Sequence, residues 1–254
     1  MFIKLIIFCI GAIIGSFLNV VIYRLPRRES LILPASHCPK CGERLRWFDN
    51  IPILSFILLA GKCRHCKEKV PIRYFIVEVS TALLFVIIYL IYGFGYEFLF
   101  YIILVALLLV TTFTDLEKGK IPNKVVLVGA GLGLYLSLIF WPLKFFNSLI
   151  GFLAGGGIML FWALIGKLLF KKEGLGSGDI KLAAMIGIFL GIQNTLLALF
   201  LTFLIATVIS LTFILSEKLR WDSKIPLAPF MALGTYISLL WGDQISECYF
   251  NMVR

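Results

Sequence analysis

The chain has 254 residues, 60% of them hydrophobic and only 15% charged, with a mean hydropathy of +0.98. A soluble domain of this length carries roughly a quarter of its residues as charges, so a soluble globular fold is excluded. The net charge of +10 comes without any basic stretch that joins a known reading module to interleaved aromatics, so no nucleic-acid partner is expected.

Crossing a hydrocarbon core of about 30 Å takes about 20 helical residues, and apolar runs of that order recur from end to end. Eight membrane segments are predicted, at about 2–22, 73–92, 97–114, 123–140, 146–170, 180–193, 195–215 and 225–242. The solvent for most of this chain is lipid. The first segment does not read as a cleaved signal peptide. Its apolar stretch exceeds the ~7–15 residues of a signal core, and it lacks an A-x-A cleavage site. Its basic cluster, Arg24, Arg27 and Arg28, follows the helix instead of preceding it. It reads as a retained anchor with the N-terminus outside.

The inside loops are then 23–72, 115–122, 171–179 and 216–224. Of the 24 lysines and arginines, 21 fall in these loops or on their flanks, leaving Lys4, Lys144 and Arg254 outside. The later loops draw on Lys171, Lys172, Lys218, Arg220 and Lys224 among others. That asymmetry puts both termini outside and the inner loops in the cytoplasm. Segment 180–193 is short, and 180–215 can also be read with a broken helix near Gly191. Dropping a span there would move the C-terminus inside and spoil the basic bias of 216–224, so eight spans are kept. Only the loop 23–72 is large enough to be a domain. Its apolar run Ile51–Ala60 is too short to span, and is expected to dip into the interface or pack on the helices. No internal repeat is evident.

Within that loop, Cys38-Pro39-Lys40-Cys41 and Cys63-Arg64-His65-Cys66 form two C-x-x-C pairs about twenty residues apart. Four thiolates so spaced can close tetrahedrally on Zn²⁺, and such a site has no open position, which makes the metal structural. Disulfides are the competing reading, and the loop's place on the reducing side of the membrane speaks against them. His37 and His65 flank the cysteines as expected bystanders, and Cys9 and Cys248 are expected to be inert. The fold class is therefore an all-α polytopic membrane protein, about eight transmembrane helices with a small zinc-binding cytoplasmic domain between helices 1 and 2.

Two acidic motifs follow. Asp115 lies where the third span ends, in Thr114-Asp115-Leu116-Glu117-Lys118-Gly119-Lys120-Ile121-Pro122-Asn123, with Pro122 at the first position of the next helix. Asp179 lies in Gly176-Ser177-Gly178-Asp179-Ile180-Lys181, where a glycine-rich turn enters the sixth span. Taken singly, Asp179 reads as a helix cap and Asp115 as a loop residue. As a pair at membrane depth they read differently. An acid there costs roughly 2.5–3.5 kcal/mol on insertion scales. Two carboxylates brought together share a proton, so that one activates water and the other protonates the leaving group. Glu117, two residues on, would point elsewhere on a helix.

In the first span, Gly11 and Gly15 form a small-xxx-small face suited to close helix packing. Asn19 is a polar group at buried depth that needs a partner, and Glu78 is an intramembrane acid without an obvious neighbour other than Arg73.

The series G-S-F-L-N-V-x-I-Y-R-L-P from Gly15, the two C-x-x-C pairs, D-x-E-x-x-x-I-P-N from Asp115 and G-x-G-D-x-K from Gly176 resembles the type IV prepilin peptidases. These are bifunctional leader peptidases and N-methyltransferases of the GxGD aspartyl protease class. The resemblance implies a multi-pass protein of the bacterial inner membrane that cuts a short basic leader from prepilins or pseudopilins. It also implies transfer of a methyl group from S-adenosylmethionine to the new N-terminus. Carried over, Asp115 and Asp179 are the catalytic pair and Cys38, Cys41, Cys63 and Cys66 the zinc ligands. The domains implied are a first transmembrane helix (1–22), a methyltransferase-associated zinc domain (23–72) and a seven-helix protease core (73–254). No glycine-rich signature for S-adenosylmethionine is present, so its site would be nonstandard, with Asn19 and Glu78 as candidate contacts. A leader peptidase without methyltransferase activity is the main alternative. An ion-coupled transporter, which would carry its acids near the midplane, and a non-catalytic scaffold are further ones.

Overall fold

The structure is a computed structural model and describes residues 2–140, 142–170, 175–217 and 225–253. Lys171, Lys172, Lys218, Arg220, Lys224 and Arg254, which enter the charge asymmetry, lie outside the described residues. The chain falls into two compact units, Met1–Val110 and Thr111–Arg254.

The first unit pairs α1 (Phe2–Arg24) with α3 (Arg73–Tyr92). A long apolar run becomes a helix in lipid because only a helix satisfies every backbone group within one segment. What pairs these two is the small-residue face. A Cβ on Gly11 would lie 2.7 Å from Cα of Ala82, and one on Gly15 would lie 2.8 Å from Cα of Glu78. One turn further on, Asn19 Nδ2 donates to the carbonyl of Tyr74 at 3.0 Å. The helices therefore run antiparallel along one seam, 11 with 82, 15 with 78 and 19 with 74.

Between them lies the loop domain. Its two cysteine turns are the same structure twice, offset by 25 residues. In the first, Cys38 N–H donates to Glu43 O and Gly42 N–H to Cys38 O; in the second, Cys63 N–H donates to Glu68 O and Lys67 N–H to Cys63 O. Bridges His37–Arg44 and Lys62–Lys69 close them. The loop does contain a repeat, legible as C-x-x-C-x-E in both copies but too short and degenerate to stand out. The apolar run Ile51–Ala60 yields the short helix α2 (Leu54–Leu58). Phe56 stacks on Phe75 of α3 at 5.2 Å, while Leu54, Ile57 and Leu58 stay exposed.

The chain passes from the first unit to the second along α4 (Tyr96–Lys118). This helix runs four residues past the predicted span end, so Asp115 sits in a helix and not in a loop. The second unit continues with α5 (Asn123–Phe140), α6 (Pro142–Phe170), α7 (Ser177–Leu215) and α8 (Ala228–Val253). Pro122 stands one residue before α5, its carbonyl accepting from Val125 N–H at 3.0 Å.

The 39 residues of α7 are interrupted at Gly191, whose φ of 69° and ψ of 179° no helix contains. The interruption is a reversal. A Cβ on Gly155 of α6 would meet both Ala183 O, at 2.4 Å, and Thr195 Cγ2, at 3.3 Å. Those two atoms are thus within about 6 Å of each other, whereas twelve residues of straight helix rise about 18 Å. Residues 177–190 and 192–215 are therefore separate helical limbs, divided where the split near Gly191 is predicted. The turn is pinned by Asn147 Oδ1, which accepts from Ile192 N–H at 3.2 Å, and by Thr195 Oγ1, which donates to Gly191 O. Residues 182–191 are buried without exception. The first limb is the central helix of its unit, packed by α5, α6 and the limb that follows.

Six helices among the described residues are long and apolar enough to cross a membrane, α7 included. The architecture is all-α and polytopic, and the helices follow the predicted segments in sequence order.

Candidate functional site

Asp115 occupies the last full turn of α4 and is buried, 7% exposed. Its Oδ2 accepts the backbone N–H of Ala228, the first residue of α8, at 3.1 Å. The first four N–H groups of a helix lack intrahelical partners, and this carboxylate satisfies one of them from 113 residues away. The sequence carries a signal for that helix start in Pro226 and Pro229, but it assigned α8 no part in the site.

Asp179 is the third residue of α7. Its Oδ2 accepts from Gly176 N–H at 3.1 Å, and a Cβ on Gly176 would stand 3.0 Å from that oxygen. The first glycine of G-x-G-D thus makes room for its own aspartate. At Gly178 a Cβ would lie 3.1 Å from Cβ of Ile121, and Lys181 Nζ donates to Asn123 Oδ1 at 3.1 Å. These two contacts join the Asp115 motif to the Asp179 motif, and the two carboxylates lie within electrostatic reach of each other. Among the described residues each carboxylate is fixed through Oδ2 alone. The cap reading holds for both residues, since in each one carboxylate oxygen accepts a helix-start amide. Glu117 is exposed, whereas Asp115 is buried.

In the first unit the four sulfurs of Cys38, Cys41, Cys63 and Cys66 lie within 4.8 Å of one another. Cys38 Sγ and Cys66 Sγ are 3.8 Å apart. A disulfide needs about 2.05 Å, whereas two thiolates on a tetrahedral ion at about 2.3 Å each stand about 3.8 Å apart. The donor set fits a metal. Backbone N–H groups of Cys66 and His65 bring the Cys63 thiol down to about 7, while burial and the neighbouring thiols push Cys66 up to about 11, so these two sulfurs titrate as a pair. His37 bonds the Ala35 carbonyl through Nδ1 at 3.0 Å, and neither histidine belongs to the cluster. Arg64, between the ligands of the second turn, is anchored to buried Asp49 at 2.8 Å, a brace the sequence reading missed.

Asn19 and Glu78 lie one turn apart on the α1–α3 seam. Asn19 is 1% exposed and its Oδ1 has no hydrogen-bond partner. Glu78 Oε2 accepts from Ile53 N–H at 2.8 Å, and Ser16 also bonds this carboxylate. Ile53 has φ 64° and ψ −54°, an outlier for a β-branched residue.

Fold and sites together define a polytopic membrane protein with a carboxylate pair at helix ends and a four-cysteine cluster able to hold a metal. The Bacterial Peptidase A24 N-terminal domain matches residues 9–92 and the Type IV leader peptidase family matches 102–211. A "Prepilin leader peptidase/N-methyltransferase" of Aeromonas salmonicida (strain A449) is 34% identical, the match covering 98% of this chain and 94% of the relative. Proteins of the same name from Pseudomonas aeruginosa and Bacillus subtilis are 34% and 33% identical over 94% and 97% of this chain, and over 91% and 98% of their own lengths. No solved structure matches. The chain belongs to the type IV leader peptidase family.

Proposed function

We propose that the chain cleaves the basic leader of membrane-inserted prepilins or pseudopilins, with Asp115 and Asp179 as the catalytic pair. One observation carries this reading: two motifs 64 residues apart bring their carboxylates together, each tethered by one oxygen to a helix N-terminus. A carboxylate held that way keeps a fixed orientation while its second oxygen can exchange a proton. One aspartate takes a proton from water as the oxygen attacks the scissile carbonyl; the other gives its proton to the departing amine nitrogen. The peptidase core is assigned to 73–254, with 1–22 as an anchor and 23–72 as the metal domain. Charge asymmetry supports an inner membrane location with both termini outside and the aspartates at the cytoplasmic face.

The four cysteines would hold one structural Zn²⁺, and the fully thiolate donor set leaves no position for water. The relatives' name supports N-methylation, for which S-adenosylmethionine would supply the methyl group. Asn19 Oδ1, a buried acceptor without a donor, and Glu78, an acid beside it, are the groups that would meet its cationic and N–H functions.

The test uses purified protein in detergent, a prepilin and labelled S-adenosylmethionine, following cleavage and methyl incorporation together. Asp115→Asn and Asp179→Asn should each abolish cleavage, and full cleavage by either variant would sink the pair. Cleavage by the wild type without methyl incorporation would select a peptidase lacking the transferase.

A further inference from the structure

Beside Asp179 the second unit carries a groove of about 750 Å³ between α5, α6 and the first limb of α7. Its walls include Val126, Leu127, Phe152, Leu153 and Leu160. Leu127 and Leu153 are 76% and 62% exposed, so the groove opens sideways, where the bilayer would be. At Gly157 in the floor a Cβ would meet nothing within 4 Å. The groove is polar only at the end formed by Asn123, Lys124 and Lys181. Ile180 and Lys181 directly follow Asp179, so that end is level with the aspartates.

Depth supports entry from the side. Gly155 of α6 faces Ala183, and the helices run antiparallel. From that level the limb reaches its first residue after about 9 Å, while α6 continues for about 22 Å in the same direction. The added length exposes Phe161, Leu164, Leu168 and Leu169, an apolar wall that extends past the aspartates.

We propose that this groove holds the apolar helix of the membrane-inserted substrate, its N-terminal end at Asp179, with Lys124 and Lys181 engaging a carboxylate in that helix's first turn. The inference rests on the leader-peptidase reading. A peptide cut where a basic leader meets an apolar helix must lay that helix along the protein from the aspartates outward, and this channel starts there. Small residues at Ala130 and Gly157 let another helix backbone come close, which an acyl chain does not require. Neither lysine has a carboxylate partner among the described residues. Together they repel the basic leader and match an acid at the helix N-terminus, where the macrodipole also favours one.

The experiment uses the full chain in lipid vesicles with an uncut prepilin whose apolar helix carries an acid in its first turn. A photoreactive benzoylphenylalanine replaces Leu127 or Leu153 in the Asp179→Asn background. Both positions should form adducts that map to the prepilin's apolar helix, whereas Leu204, 48% exposed on the second limb, should not. In otherwise unaltered protein, Gly157→Phe fills the floor and should raise KM for prepilin about tenfold with kcat within about twofold. Lys124→Glu with Lys181→Glu should raise KM similarly, and a prepilin with lysine in place of its first-turn acid should restore it. Adducts with phospholipid alone, equal labelling from Leu204, or an unchanged KM in folded Gly157→Phe protein each overturn the groove. Wild-type failure to cut prepilin in the same vesicles would instead sink the leader-peptidase reading; cleavage without adducts at 127 and 153 sinks the groove alone.

Discussion

Asp115 and Ala228 are joined by a 3.1 Å hydrogen bond from the first amide of α8 to a carboxylate at the end of α4. Asp179 is held in the same manner by the Gly176 amide at the start of α7. Each aspartate therefore has a structural duty, which can be separated from the chemical one proposed for it.

Asparagine keeps a carbonyl oxygen that can accept the same amide, but it cannot exchange a proton as a carboxyl group does. Asp115→Asn should lower the cleavage rate by at least about 10³-fold while leaving the thermal midpoint within about 2 °C, a ΔΔG of under about 1 kcal/mol. Asp115→Ala removes the cap as well, and should cost a further ~1 kcal/mol in the same melt. If alanine and asparagine melt alike, the Ala228 bond contributes nothing to stability.

Glu78→Gln separates the two activities. Glutamine can still accept from Ile53 N–H, so the strained turn before α2 should persist, but the carboxyl group beside Asn19 is lost. Methyl incorporation should fall at least about tenfold while leader cleavage stays within about twofold of wild type. A parallel loss of both, in protein that melts normally, would show that Glu78 does not serve the transferase alone.

The two cysteine turns differ at one position. Gly42 occupies the left-handed region in the first turn with φ 72°, and Lys67 takes the equivalent place in the second with φ 59°. A side chain in that region costs roughly 1–2 kcal/mol. Gly42→Ala should therefore destabilise the loop by about 1 kcal/mol, whereas Lys67→Gly should be neutral or mildly stabilising. Chelator concentration at half metal loss, read by a thiol reagent on the freed cysteines, checks both. Equal sensitivity of the two variants would show that the turns do not carry the strain their backbones indicate.

The spans, the acid pair and the cysteine set were legible because each leaves a local mark: an apolar run, a glycine beside an aspartate, a fixed cysteine spacing. What faces what was not. In lipid, a residue packed on another helix is as apolar as one facing acyl chains. Residues 182–190 therefore look like any span, although they are buried on every side. The pairing of Asp115 with Ala228 was hidden for a related reason, since the donor is a backbone amide that any residue supplies. The far end of α8 was also missed: Asp243 and Glu247 end the apolar run near 242, yet the helix continues to Val253.

Gly191 is the position where local signal and tertiary consequence meet. Its φ of 69° disfavours any side chain, and a Cβ there would stand 2.3 Å from Asn147 Nδ2. Gly191→Ala must either displace Asn147, which frees the Ile192 amide it holds, or straighten the turn and pull the two limbs of α7 apart. Left-handed strain of roughly 1–2 kcal/mol and the loss of the Ile192–Asn147 hydrogen bond, about 1 kcal/mol, add to a loss of a few kcal/mol. Asn147→Ala gives up the amide bond but leaves room for a side chain at 191. The double variant should therefore be more stable than the sum of the single losses predicts, by about 1 kcal/mol or more. Unfolding midpoints of the four proteins in one detergent decide it: strict additivity would mean that the Asn147 contact does not set the reversal, and that strain at residue 191 acts alone.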